Sequence, residues 1–196
     1  MKNMLMIVAI LFVITTIIEL ILNNYKKNIY NKLVSLLSLK KYDEFTELIE
    51  DKKTKFFLPV NNYHILKMNE AMLQQRTNDI IFEIDKLKNL KLTEEQKTFV
   101  YCRAFSYFLT ACDDINMNRY YSLVLNLKDS PSKKYTIMVY NTLVEKDYQY
   151  IDDATKMLEN ATGEDKNNLL ALLSQMYMNK GDIKTANDYS SMVKGG

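Results

Sequence analysis

The chain has 196 residues, of which 47% are hydrophobic, and its 26 basic and 24 acidic residues give a formal net charge of +2. This composition excludes a disordered chain, and the interspersed charges argue against a nucleic-acid binder, which concentrates basic residues on one face. Because the chain has only four glycines and two prolines, it lacks the turn residues of most β architectures, and we expect an all-α fold.

The first predicted element is an apolar run, Leu5–Leu22, whose only charged residue is Glu19. As a helix this run is about 27 Å long, close to the hydrocarbon thickness of a bilayer. A cleaved signal peptide has a shorter apolar region and a small-residue cleavage site, and a buried core helix normally has a polar stripe. The run has none of these features. We therefore predict a transmembrane anchor over residues 1–24 and a helical repeat domain over residues 25–196.

The lysines around the predicted anchor bear on its orientation. Lys2 precedes the apolar run, and five lysines follow it: Lys26, Lys27, Lys32, Lys40 and Lys41. The positive-inside rule favours a cytoplasmic C-terminal domain on a single-pass protein of the cell membrane. The alternative is that the Met-Lys start acts as an export signal whose N-terminus stays inside.

Beyond the anchor, apolar residues recur at helical spacing and no useful alternating pattern appears. Ile29, Leu33, Leu36 and Leu37 follow this spacing, as do Ile80, Ile84 and Leu87 further on. The breaks between such runs predict ten helices in five hairpins that start near residues 28, 60, 93, 132 and 165. A period close to 34 residues is typical of a helical solenoid, because one hairpin cannot bury its own apolar face without a neighbour.

Several short signals mark where these helices begin and end. Thr93 with Gln96 is a capping-box pattern, and Pro131 lies beside two serines at a predicted helix start. Gly163 and Gly181 are predicted to end helices.

The last hairpin, "NNLLALLSQMYMNKGDIKTANDYSSMV", resembles a tetratricopeptide repeat. In this resemblance the small residues Ser174 and Ala186 let the two helices approach, Tyr177 packs across them, and Gly181 ends the first helix. The resemblance implies an α-solenoid of about five hairpins with a groove lined by the first helix of each. It also implies a protein–protein interaction role.

The chain has few residues suited to catalysis or metal binding. His64 is its only histidine, and Cys102 and Cys112 are its only cysteines. Ten residues of helix separate the two thiols by about 15 Å, so they cannot form a disulfide, and we expect both to be free and buried. His64 is expected to have a capping or partly buried packing role. We predict no enzyme activity, cofactor or metal.

The sequence therefore favours a membrane-anchored module that binds a peptide or partner protein. We predict four partner-binding residues, because each lies on the first helix of a predicted hairpin: Arg103, Tyr107, Asn141 and Gln175. One alternative is a structural subunit or assembly factor of a bacterial membrane complex. The abundance of lysine, asparagine, isoleucine and tyrosine is typical of a bacterium with an AT-rich genome. Another alternative is an enzyme whose site uses unfamiliar residues.

Overall fold

The computed structural model describes residues 2–193, with side chains described from residue 19 onward. These residues form eleven α-helices and no strand, which confirms the predicted all-α fold. The chain divides into two compact units, Met1–Leu92 and Thr93–Gly196.

The first unit contains α1 (Lys2–Ser38), α2 (Tyr42–Glu50), α3 (Lys52–Phe57), α4 (Val60–Leu73) and α5 (Thr77–Lys88). Because α1 continues through the region of residue 28, the prediction that a hairpin begins there is wrong. No proline or glycine interrupts the chain there, so the helix continues. The predicted domain boundary after residue 24 lies inside α1 and stays a prediction.

Most of the predicted anchor, residues 1–18, lies outside the residues whose side chains are described. Among the residues whose side chains are described, no helical stretch is long and apolar enough to cross a bilayer.

The core of the first unit is formed by the C-terminal half of α1 with α2 and α4. The predicted positions Ile29, Leu33, Leu36 and Leu37 are all buried. They pack against Phe45, Ile49, Leu58 and Leu66. Ile80, Ile84 and Leu87 on α5 are fully buried as well, so the helical spacing identified the buried faces correctly.

The short helix α3 ends two residues before Pro59. Its N-cap is Asp51, whose carboxylate accepts hydrogen bonds from the backbone amides of Lys53 and Thr54 at 2.9 and 3.0 Å. Such a cap satisfies amides that have no partner in the first helical turn. Pro59 then stands as the N-cap of α4, so only Leu58 and Pro59 separate the two helices.

The second unit contains α6 (Glu94–Thr110), α7 (Asp114–Leu125), α8 (Pro131–Leu143), α9 (Ile151–Leu158), α10 (Gly163–Lys180) and α11 (Ile183–Met192). The predicted starts near 93, 132 and 165 are confirmed by α6, α8 and α10, as the start near 60 is by α4.

Most of the predicted signals for helix starts and helix ends are also confirmed. Thr93 and Gln96 form the full capping box of α6, and Gly181 ends α10 with a left-handed φ of 85°. The prediction for Gly163 is wrong, because α10 begins at that residue. The acidic residues Glu164 and Asp165 follow it in the first turn, where the helix dipole favours negative charge.

The last hairpin, α10 with α11, makes the contacts predicted for it. The Ser174 hydroxyl donates to the Ala186 carbonyl oxygen at 2.8 Å, and Ala186 is buried. The Tyr177 ring stacks on Tyr189 with centroids 5.5 Å apart. These contacts explain the close approach of the two helices, while membership of the tetratricopeptide family stays a prediction.

Candidate functional site

The second unit contains a groove. It is lined by α6, α8 and α10, which are the first helices of the three predicted hairpins in this unit, and by α9. It encloses about 930 Å³, and its walls include Phe99, Cys102, Arg103, Tyr135, Met157 and Leu169. We call this cavity the first-helix groove.

The face of α6 that lines the groove has regular helical spacing. Phe99, Cys102, Arg103 and Ser106 follow i, i+3, i+4 and i+7, which places them on one side of the helix. The opposite side of α6 packs into the core through four fully buried residues: Val100, Ala104, Phe105 and Phe108. Packing against α7 therefore fixes which face of α6 is open.

Two cations in the groove have no acidic partner. The Arg103 guanidinium lies over the Phe99 ring, 5.8 Å from its centroid, and Lys156 is exposed on α9. Among the residues that the structure describes, neither has a carboxylate within ion-pair distance. By contrast, Lys134 is paired with Asp153 at 3.0 Å. With Asp165 also in the lining, the groove has a small excess of positive charge.

Cys102 gives the groove a thiol. It is free and half-buried, and burial raises the pKa of its thiol, an effect that a hydrogen bond with the Thr136 side chain partly offsets. Cys112 is also free but exposed, so the prediction that both thiols are buried is wrong for Cys112. The residue lies in the turn after α6 with a positive φ of 54°, outside the helical face that packs into the core.

The four nominated partner-binding residues do not come together. Arg103 lines the groove. Tyr107 follows one turn later on α6 and meets Phe108 edge-on, with ring centroids 5.1 Å apart. Asn141 donates to the Tyr150 hydroxyl at 3.4 Å, and Gln175 donates to the Asn179 side chain at 2.9 Å. Tyr107, Asn141 and Gln175 are not among the groove-lining residues, and the binding role of all four stays a prediction.

Sequence reasoning missed the contribution of α9. Lys156 and Met157 come from this second helix of a hairpin, whereas only first helices were expected to line the groove. Ala154 on α9 is fully buried in a cluster with Leu172 and Leu173 of α10, which holds α9 at the groove wall.

The histidine is placed in the first unit. His64 Nδ1 on α4 lies 2.6 Å from Glu83 Oε2 on α5, and both side chains are largely buried. This pair joins the two helices, so the predicted partly buried role of His64 is confirmed. Within the described part of the chain, no three His, Cys, Asp or Glu side chains are grouped in a way that could hold a metal ion.

Comparison with known proteins identifies no relative of this chain. No protein family model, no curated protein and no solved structure matches it. The resemblance to tetratricopeptide repeats therefore stays a prediction, which depends on the residues of the last hairpin and on the period close to 34 residues.

Proposed function

We propose that this chain is a membrane-anchored protein that binds a peptide segment of a partner protein in the first-helix groove and catalyses no reaction. In this proposal residues 1–24 are a single membrane span and the hairpins are tetratricopeptide-like repeats on its cytoplasmic side. The observation that carries it is Arg103, an exposed cation that has no acidic partner among the described residues and lies beside the Phe99 ring in the first-helix groove.

The lining of the groove indicates what kind of peptide it binds. Phe99, Tyr135 and Met157 offer apolar and aromatic surface, and methionine and aromatic residues are typical of protein-binding surfaces. Arg103 and Lys156 offer donors for a carboxylate. We therefore expect a peptide with a bulky apolar side chain next to an acidic residue or a free C-terminus.

A displayed peptide library tests this proposal with the full chain in lipid nanodiscs. Enriched peptides should combine a carboxylate with a large apolar residue, and their affinity should fall on Arg103→Ala. A hydrogen bond to a charged group contributes about 1.5–3 kcal/mol, which corresponds to a loss of about 10- to 100-fold in affinity.

The matched control is Lys184→Ala, which removes an exposed cation of α11 that does not line the groove. This variant should bind the same peptides with unchanged affinity. The proposal is contradicted if no peptide is enriched, or if the enriched peptides bind Arg103→Ala as tightly as the parent chain. Copurification of one stoichiometric membrane partner that is insensitive to Arg103→Ala would favour the structural-subunit alternative.

A further inference from the structure

An aromatic cluster lies just beyond the end of the apolar run. Tyr25 on α1 meets Phe57 on α3 edge-on with ring centroids 5.1 Å apart, and Phe57 meets Phe56 in the same way at 5.0 Å. Tyr25 follows Leu22 by three residues, about 4.5 Å along a helix. Tyr25 therefore lies within one helical turn of the end of the run, and the rings of Phe57 and Phe56 follow it in contact.

Phe56 is unusually exposed for a phenylalanine. Its side chain is 81% accessible, while the neighbouring Phe57 is half-buried against the core of the first unit. Leu20 and Ile21, near the end of the apolar run, are 60% and 62% exposed. Phe56 on α3 and Leu20 and Ile21 on α1 thus expose apolar surface that no described residue of the first unit covers.

The same region is rich in unpaired lysines. Lys26 and Lys27 on α1 and Lys52 and Lys53 on α3 are exposed and have no carboxylate within ion-pair distance among the described residues. Two of the nearby acids are already engaged, Glu50 with Lys55, Tyr63 and Lys67 and Asp51 as the cap of α3, while Glu47 adds one negative charge beside them. The local excess of charge is positive.

From this arrangement we infer that α3 is a membrane-contacting collar, which inserts Phe56 at the headgroup level and places Lys52 and Lys53 against anionic lipid headgroups. The inference depends on the proposed anchor, because only a span ending near Leu22 brings a bilayer surface to this level. Aromatic residues favour the membrane interface, and each lysine near an anionic surface adds attraction. The collar would fix how deep the span lies and how the first unit is held at the membrane.

Tryptophan fluorescence tests the collar directly, because the chain contains no tryptophan. The full chain with Phe56→Trp is reconstituted in vesicles that contain anionic phosphatidylglycerol and lipids with a quencher near the headgroup. The matched control is Phe82→Trp, at a phenylalanine of α5 that is 56% exposed. Lipid quenching should be at least about twofold stronger at position 56 than at position 82, as expected for an indole at the interface.

A charge variant tests the lipid chemistry. The double change Lys52→Gln and Lys53→Gln is made in the Phe56→Trp chain. In anionic vesicles it should lower the equilibrium constant for contact of α3 with the membrane, measured by lipid quenching, about fivefold per lysine. In phosphatidylcholine vesicles it should have little effect. Lys86→Gln with Lys91→Gln makes the same change of charge elsewhere in the first unit and should leave the quenching unchanged.

The outcomes separate the collar from the anchor. If the chain floats with the vesicles but an aqueous quencher reaches the tryptophan at position 56 as readily as that at position 82, the collar proposal is wrong and the anchor proposal stands. If the tryptophan at 56 is shielded from both lipid and aqueous quenchers, protein covers Phe56 and the collar is again overturned. If the chain does not float, the anchor and the collar both fall.

Discussion

The side-chain amide of Asn179 on α10 donates a hydrogen bond of 2.9 Å to the carbonyl oxygen of Thr142 at the end of α8. The same amide also donates to the Asp147 carbonyl oxygen at 3.1 Å. One side chain thus satisfies two carbonyl groups of the α8–α9 connection and ties it to α10. Because α9 forms part of the groove wall, this link helps to fix the shape of the groove.

Replacing Asn179 should therefore loosen the α8–α9 connection. Asn179→Ala removes the two donated hydrogen bonds as well as the one accepted from Gln175, and at about 0.5–1.5 kcal/mol for each bond the two donated bonds alone should cost about 1–3 kcal/mol in the free energy of unfolding. Urea unfolding followed by circular dichroism measures this loss. Gln175→Ala is the control, because Gln175 bonds only to the Asn179 side chain among the contacts identified for it, and its cost should be clearly smaller. Equal costs for the two variants would contradict the account of Asn179.

The buried carboxylate of Glu70 predicts a second stability effect. Glu70 on α4 is buried and pairs with Arg76 at 2.6 Å, and the Gln74 amide also donates to it. Arg76→Ala leaves this carboxylate with a weaker set of partners and should cost about 2–3 kcal/mol in the free energy of unfolding.

An exposed ion pair in the same unit is the control for Arg76. Lys41 and Glu44 are 2.7 Å apart, and both are exposed, so Lys41→Ala should cost less than about 1 kcal/mol. If Arg76→Ala costs no more than Lys41→Ala, the Glu70 pair has no special role in joining α4 to α5.

Gly181 is required by the left-handed turn after α10. Its φ is 85°, and a Cβ added there would meet no atom within 4 Å. The cost of Gly181→Ala is thus conformational, and we expect a loss of about 1 kcal/mol in the free energy of unfolding. Gly181→Asn should cost less, because asparagine adopts this conformation more readily. An alanine variant as stable as the parent chain in urea would contradict this expectation.

Two capping aspartates predict the acid side of the pH–stability profile. Hydrogen bonds from the Asn116 side chain and backbone lower the pKa of Asp113, and those from the Thr185 backbone and hydroxyl lower the pKa of Asp182. Because each pKa is lower in the folded chain, the stabilisation is present above the ordinary value of 3.8 and is lost as the pH falls through the folded value.

Asparagine at these positions separates capping from titration. Asp113→Asn and Asp182→Asn keep a capping side chain that does not ionise, so the double variant should lose less stability than the parent chain between about pH 4 and pH 2. Thermal unfolding at a series of pH values measures the difference. Parallel profiles for the two chains would show that these caps do not contribute to acid sensitivity.

The helix starts were predictable from local chemistry. Thr93 with Gln96 and Ser130 with Pro131 satisfy or remove backbone donors that every helix start leaves unpaired. These signals act within a few residues of the chain, so the sequence carries them without knowledge of the fold.

The elements that sequence reasoning missed depend on long-range packing. No local pattern shows that α9 packs on α10 through Ala154 and so brings Lys156 to the groove. The rings of Tyr25 and Phe57 meet across 32 positions of the chain, which periodicity within one helix does not reveal. Gly163 was misassigned because glycine is compatible with both a helix end and a helix start, and the extended geometry of the N-cap Thr162 makes Gly163 the first residue of α10.

The most direct test of the proposed peptide-binding groove is the reactivity of Cys102 in a Cys112→Ser chain. Cys102 lines the groove and burial raises the pKa of its thiol, so its reaction with a thiol reagent at neutral pH should be slow but measurable. A peptide selected by display should slow the reaction further, in proportion to the fraction bound, and Arg103→Ala should reduce this protection at the same peptide concentration. An unchanged rate of Cys102 modification in the presence of a peptide that binds the chain would show that the peptide lies elsewhere.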